Sequence, residues 1–275
     1  MSAEPLDLDE LVEHWTLLDG DRELVAGKRG STRLAFALML KFYSLYWRFP
    51  DGDGELPREM VEFVARQVQV SPDALQGNEF SERTDRYHRA QIRGHFGFRE
   101  CTVEDARALR AWLAENVAEA DPRQEVVRDQ LLDRCRKWRV EPPSEGRIDR
   151  IVRGAVHGAQ TALCERIVAR LSAEAIARIE QLLAVEDDDG DDQARDVLAL
   201  VKAAPGNVSL ETILTEIEKL EAVRAVGLPA GLLLDVTPRV LEGWRQRAMV
   251  ESPSHLRAHP RELRVTLLAA LLWAR

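Results

Sequence analysis

Apolar residues recur at helical spacing along nearly the whole chain, and no stretch shows the two-residue alternation that is typical of a half-buried strand. The clearest amphipathic spacing places four apolar side chains on one helical face: Val127, Leu131, Cys135 and Trp138. Residues 34–47 form a mostly apolar run that contains Lys41. Because a membrane-spanning helix needs about 20 apolar residues, this shorter run predicts a buried core helix. The pattern as a whole predicts an all-α fold.

Breaks between the helical patterns predict three parts. The sequence Ala120-Asp121-Pro122 marks one boundary, and the acidic segment 186–192 is interpreted as a solvated loop. We therefore expect a helical module over residues 1–120 and a second over 121–192 that ends in the acidic loop. A further helical segment follows over 193–275.

Several helix ends carry recognisable signals. Thr102 with Asp105 resembles a capping box, and Ser81, Ser144 and Ser172 are placed to begin helices. In the last segment, the spacing predicts helices at 193–204, 209–226 and 260–275, with a proline-punctuated stretch between them.

Composition limits the class of protein. The 275 residues are 45% hydrophobic, which is enough for a sizeable core. The three cysteines have no CxxC spacing, so we expect neither a disulfide framework nor a zinc site. We expect instead that the protein is located in a reducing compartment. The acidic start of the chain has no apolar signal core. Together these features predict a cytoplasmic protein.

The formal net charge of −9 conceals an uneven distribution. Residues 1–25 carry −7 and residues 186–192 carry −6, so the remainder of the chain carries +4. Interactions with charged partners depend on such local patches more than on the total.

Three basic groups stand out within that remainder. The first is the loop and helix with Lys28, Arg29, Arg33, Lys41 and Arg48. The second is a helix with Arg83, Arg86, Arg89 and Arg93. The third is a helix with Arg147, Arg150, Arg153 and His157.

Two interpretations of these groups stay open. Arginines spaced along one helical face suit the major groove or the phosphates of DNA. Backbone amides near Gly30 and Ser31, with Lys28 and Arg29, would suit a phosphate contact. The plainer interpretation is that arginine on an amphipathic helix solvates its outer face.

Other kinds of site are not supported by the sequence. With Gly190 at the sixth position of a calcium loop, the first ligand would be Val185. His255 and His259 lack a third metal ligand, and Gly27–Thr32 lacks the spacing of a nucleotide-binding loop. No nucleophile–base pair or carboxylate dyad is evident. We expect no catalytic residue, no metal and no cofactor.

The residues now described resemble a known family, the N-terminal region of Tn3-family transposases. The similarity is densest over residues 10–170 and covers most of the chain. The segments that carry it are Gly27–Phe42, Arg48-Phe49-Pro50, Pro57–Val64, Arg89, Ile92-Arg93, Gly97-Phe98-Arg99, Pro142-Pro143, Gly146-Arg147, Leu228-Pro229, Pro238 and Leu256–Arg275.

This resemblance implies a function. In that family the helical N-terminal region recognises the terminal inverted repeats of the transposon, and a distant RNase H-like domain cuts and joins DNA. The expectation is thus tandem helix-turn-helix-like modules that bind double-stranded DNA at transposon ends without catalysis, in the bacterial nucleoid. DNA contact is assigned to Lys28, Arg29, Ser31, Arg33, Arg48, Arg83, Arg86, Arg89, Arg93, Arg147, Arg150 and Arg153.

The alternative is a helical module for protein interaction or dimerisation without direct DNA contact. The long amphipathic helices and the apolar run Leu267–Trp273 would suit a partner or a second copy of the chain.

Overall fold

The computed structural model describes residues 7–75, 82–183, 192–204 and 206–273, apart from the side chains of residues 53, 82, 83 and 192–196. These described residues form α-helices joined by short turns, and their only strand-like pairing is an isolated bridge between Arg99 and Val140. The prediction of an all-α fold is confirmed. None of the described helices is long and apolar enough to cross a bilayer.

The chain divides into two compact units, each made of two segments. The first unit comprises Met1–Ala106 and Leu132–Ile148, and the second comprises Arg107–Leu131 and Asp149–Arg275. The expected boundaries at residues 120 and 192 remain predictions.

The first unit is built around a buried helix. Its helices are α1 (Leu8–Trp15), α2 (Asp19–Ala26), α3 (Gly30–Tyr46), α4 (Arg58–Val68) and α5 (Glu82–Phe96). Every residue from Leu34 to Tyr43 in α3 is buried, and α2, α4 and α5 pack against this helix. The buried core helix predicted at 34–47 is therefore confirmed. It is buried because its apolar residues surround the helix instead of forming a single stripe.

The second segment of this unit returns to the end of α5. The Arg99 N–H donates to the carbonyl of Arg139 at 3.0 Å, and the Glu141 N–H donates to the carbonyl of Arg99 at 2.8 Å. This pairing fixes residues 139–141 beside residues 97–99, although about 40 positions separate them in sequence.

Unit boundaries fall within α6 (Val103–Leu113), α7 (Gln124–Lys137) and α8 (Glu145–Val168). The second unit continues with α9 (Ala173–Gln181), α10 (Asp192–Lys202), α11 (Leu210–Val226), α12 (Pro238–Val250), α13 (Pro253–Ala258) and α14 (Arg261–Trp273). Residues 265–272 of α14 are all buried, and this helix packs on α9 and α12. The expectation that Leu267–Trp273 offers a partner surface is therefore wrong, since the run belongs to the core.

Local signals predicted several helix starts correctly. Thr102 and Asp105 exchange the two hydrogen bonds of a capping box, at 3.0 and 3.1 Å. Ser172 accepts the N–H of Ala175, and α8 begins directly after Ser144. The expected cap at Ser81 lies outside the described residues, as does the acidic segment up to residue 191.

Candidate functional site

A cleft of about 490 Å³ in the first unit collects charged side chains from separate parts of the sequence. Its walls include four arginines and three acidic residues: Arg86, Arg89, Arg93, Arg147, Asp85, Glu100 and Glu141. The formal charges of these four arginines and three acidic residues sum to +1.

Two of the predicted basic groups meet in this cleft. Helix α5 supplies Arg86, Arg89 and Arg93, whose i, i+3, i+7 spacing places them on one face. The first turn of α8 supplies Arg147, and the rigid pair Pro142-Pro143 precedes that helix. The sequence predicted each group but could not predict that they share a cleft.

Arg93 is held by a largely buried ion pair. Its Nη1 donates to Glu141 Oε2 at 2.8 Å, and both side chains are 14% exposed. Burial raises the pKa of Glu141, and the hydrogen bond from Arg93 opposes that rise. Arg93 Nη2 lies 3.6 Å from Glu100 Oε2, whose side chain is 78% exposed. Arg93 is therefore anchored by one carboxylate and only loosely contacted by the other.

Arg89 and Arg147 also have partners within the unit. Arg89 pairs with Asp85 at 2.8 Å, and its guanidinium lies 5.0 Å from the centre of the Phe49 ring. Arg147 donates to the carbonyls of Cys101 at 3.2 Å and Thr102 at 2.8 Å. These two arginines help to shape the cleft, and the exposed Arg86 side chain also lines it.

Much of the first basic group holds the fold together. Lys28 donates to Gln91 at 2.8 Å and lies over the Phe36 ring. Arg48 forms two hydrogen bonds to Glu55, at 2.7 and 2.8 Å. Lys41 is buried and pairs with Asp21 at 3.4 Å. These contacts were not apparent from the sequence, because the partners lie in other helices or turns.

The start of α3 keeps the features that suggested a phosphate contact. Gly30 has a φ of +53°, and the first turn of α3 contains no acidic residue. Arg29 is exposed and Ser31 is half-buried. The Nε of Arg33 is buried and has no hydrogen-bond partner among the described residues.

The remaining predicted contacts lie outside the cleft or outside the described part. Arg150 and Arg153 are exposed on α8, in the segment that belongs to the second unit. Arg153 donates to the carbonyl of Asp149 at 3.3 Å. The side chain of Arg83 lies outside the described residues. Their assignment to DNA contact stays a prediction.

Thiol and metal chemistry receive no support from the described residues. Cys101, Cys135 and Cys164 are free and buried, and burial raises the pKa of Cys135 to about 12. Such a thiol is a poor nucleophile. In the described part of the chain, no group of three or more His, Cys, Asp or Glu side chains is arranged to hold a metal ion.

The cleft and the buried α3 core lie within residues 2–155, which match the family described as a domain of unknown function, DUF4158. The chain belongs to the DUF4158 family. All four cleft arginines, at positions 86, 89, 93 and 147, therefore lie in the DUF4158 region.

The DUF4158 chain is also similar to transposases. It is 28% identical over 84% of its length to the transposase for transposon Tn21 of Escherichia coli. It is 27% identical over 82% to the transposase for Tn501 of Pseudomonas aeruginosa, and 24% identical over 78% to that for Tn1546 of Enterococcus faecium. The resemblance to Tn3-family transposases is confirmed. The chain spans about a quarter of the length of these relatives.

Proposed function

We propose that this chain binds the terminal inverted repeat DNA of a Tn3-like transposon and does not itself cut DNA. The observation that carries the proposal is the cleft, where two separately predicted arginine groups converge. Arginine is suited to this role because its planar guanidinium can bind a phosphate or a guanine edge through two hydrogen bonds.

The family relationship supports the same proposal. Proteins named as transposases of particular transposons match most of this chain. A transposase must distinguish the ends of its element from other DNA, and a helical region with exposed arginines is suited to such recognition. Binding to transposon ends would place the protein in the bacterial cytoplasm, on the nucleoid.

Fluorescence anisotropy would test this proposal with a labelled duplex that carries a terminal inverted repeat and a scrambled duplex of equal composition. We expect tighter binding to the repeat. We also expect affinity to fall with salt at a log–log slope near −0.9 for each neutralised phosphate. Equal affinity for both duplexes would exclude sequence recognition, and a flat salt response would exclude the electrostatic mechanism.

A second candidate function, protein interaction, is favoured by the outer face of α11. This face exposes a stripe of aliphatic side chains: Leu210, Ile213, Leu214, Ile217 and Leu220. The inner face holds Lys219, which is buried and donates to the carbonyl of Ala203 at 2.9 Å. Over residues 210–220 the exposed face of α11 is thus apolar, as expected for a helix that packs against another molecule.

Light scattering over a range of protein concentrations would test the second candidate. A dimer that becomes monomeric in an Ile213→Ser, Ile217→Ser variant would support an interface on α11. A wild-type chain that stays monomeric and binds the inverted repeat would leave DNA binding as the function.

A further inference from the structure

We propose that the arginine cleft binds one phosphate group of the DNA backbone, and that this phosphate displaces the carboxylate of Glu100. The inference rests on the proposed function, because it names the part of the DNA that this site would hold. It also assigns a role to Glu100 that the pattern of basic residues did not suggest.

Two features of the cleft favour a phosphate. Four guanidinium groups line it, and hydrogen bonds from arginine to phosphate are strong because both groups are charged. Ser144, directly before the 24-residue helix α8, lines the same cleft. The partial positive charge at a helix N-terminus stabilises an anion there.

The contacts of Arg93 show which position the phosphate would take. Its Nη1 is occupied by Glu141 at 2.8 Å, in a pair whose two side chains are mostly buried. Its Nη2 faces Glu100 at 3.6 Å, and the Glu100 side chain is 78% exposed. A long ion pair in which one side chain is mostly exposed to solvent is weak. Exchange of Glu100 for a phosphate therefore costs little, while Glu141 keeps Arg93 in place.

A phosphate contact positions a protein on DNA but does not read the sequence. The cleft would then serve as an anchor of equal strength on any duplex, and sequence would be read by other side chains. Arg86→Ala should weaken binding to the inverted repeat and to the scrambled duplex by the same factor.

The test compares Glu100→Gln with Glu104→Gln. Both side chains are exposed and the two changes remove the same charge, but Glu104 does not line the cleft. Inorganic pyrophosphate, titrated by calorimetry, reports on anion binding in the absence of DNA, and anisotropy with both duplexes reports on DNA binding. We expect Glu100→Gln to bind pyrophosphate and both duplexes about threefold to fivefold more tightly than wild type. Glu104→Gln should differ from wild type by less than about twofold.

Each outcome bears on one proposal or the other. Equal pyrophosphate affinity in the two variants would overturn the role of Glu100. Equal affinity of the two variants for the duplexes would also overturn the role of Glu100, but it would leave the proposed DNA-binding function in place. If Glu100→Gln binds pyrophosphate more tightly than wild type but no form of the chain binds either duplex, the anion site is supported and the DNA-binding function is overturned. Circular dichroism of each variant checks that the helices are intact.

Discussion

Glu55 illustrates how strongly one side chain can depend on its neighbours. It accepts two hydrogen bonds from Arg48 and one from the N–H of Asp51 at 2.9 Å. The hydrogen bonds from Arg48, followed by the one from Asp51, lower the pKa of Glu55 from 4.5 to about 2. Because the folded-state pKa is lowered, the stabilisation is complete above the unfolded pKa and is lost as the pH falls through the folded one.

The first prediction follows from this shift. We expect Glu55→Gln to lower the free energy of unfolding at pH 7 by less than about 1 kcal/mol, because the pair is partly exposed to solvent. The difference from wild type should shrink as the pH falls from about 4.5 to about 2. Urea unfolding at several pH values measures it. The control is Glu13→Gln, a change at an exposed position of α1, which should show no comparable pH dependence. If the free-energy difference between Glu55→Gln and wild type stays constant down to pH 2, the lowered pKa of Glu55 is contradicted.

The pair between Arg93 and Glu141 gives a second prediction. Removing one partner of a buried ion pair leaves the other charge without compensation. We expect Glu141→Ala to lower the free energy of unfolding by about 3 kcal/mol. The exposed pair of Arg58 and Glu62 is the control, and Glu62→Ala should cost less than about 1 kcal/mol. Chemical denaturation measures the free energy of unfolding of both variants. Equal losses in this free energy would show that the pair of Arg93 and Glu141 is effectively solvated.

At this scale the sequence predicted which arginines share a face, but not which of them are already paired. The i, i+3, i+7 spacing of Arg86, Arg89 and Arg93 is a local property, so it could be read directly. The partner of Arg93 is Glu141, 48 positions away, and nothing local connects them. A charge count therefore overestimated how many arginines are available to a ligand.

At the scale of helices, proline explains one difference between prediction and structure. The stretch 227–259 was expected to be a proline-punctuated connection, yet it contains α12 and α13. Pro238 and Pro253 occupy the first residue of these helices, where the missing N–H has no intrahelical partner to lose. Proline, which disrupts a helix when it lies in the interior, is therefore well tolerated at the first helical position.

Helix α11 provides the third prediction. Because Ile217 lies on the exposed face, we expect Ile217→Ala to change the free energy of unfolding by no more than about 0.5 kcal/mol in a monomeric sample. Ile179 in α9 is fully buried in the same unit, and Ile179→Ala should cost about 2 to 5 kcal/mol. Thermal and urea unfolding measure both. A large loss for Ile217→Ala would show that its face is packed in the isolated chain.

At the scale of the whole molecule, the two-segment construction of the first unit gives the fourth prediction. A fragment of residues 1–120 lacks Glu141 and Arg147, as well as the bridge to Arg99. We expect it to unfold at lower denaturant concentration than a fragment of residues 1–155, which contains both segments of the unit. Circular dichroism during urea titration compares them. Equal midpoints would show that the second segment adds no stability.

The order of synthesis gives this returning segment a further importance. The first unit cannot be completed until residue 148 has been made, about 42 residues after Ala106. At 5 to 20 residues per second, the ribosome needs about 2 to 8 seconds for that stretch. During this interval Arg93 has not yet met its buried partner Glu141. Because Glu141 lies in the second segment, the cleft that it lines with Arg93 can form only after that segment has been synthesised.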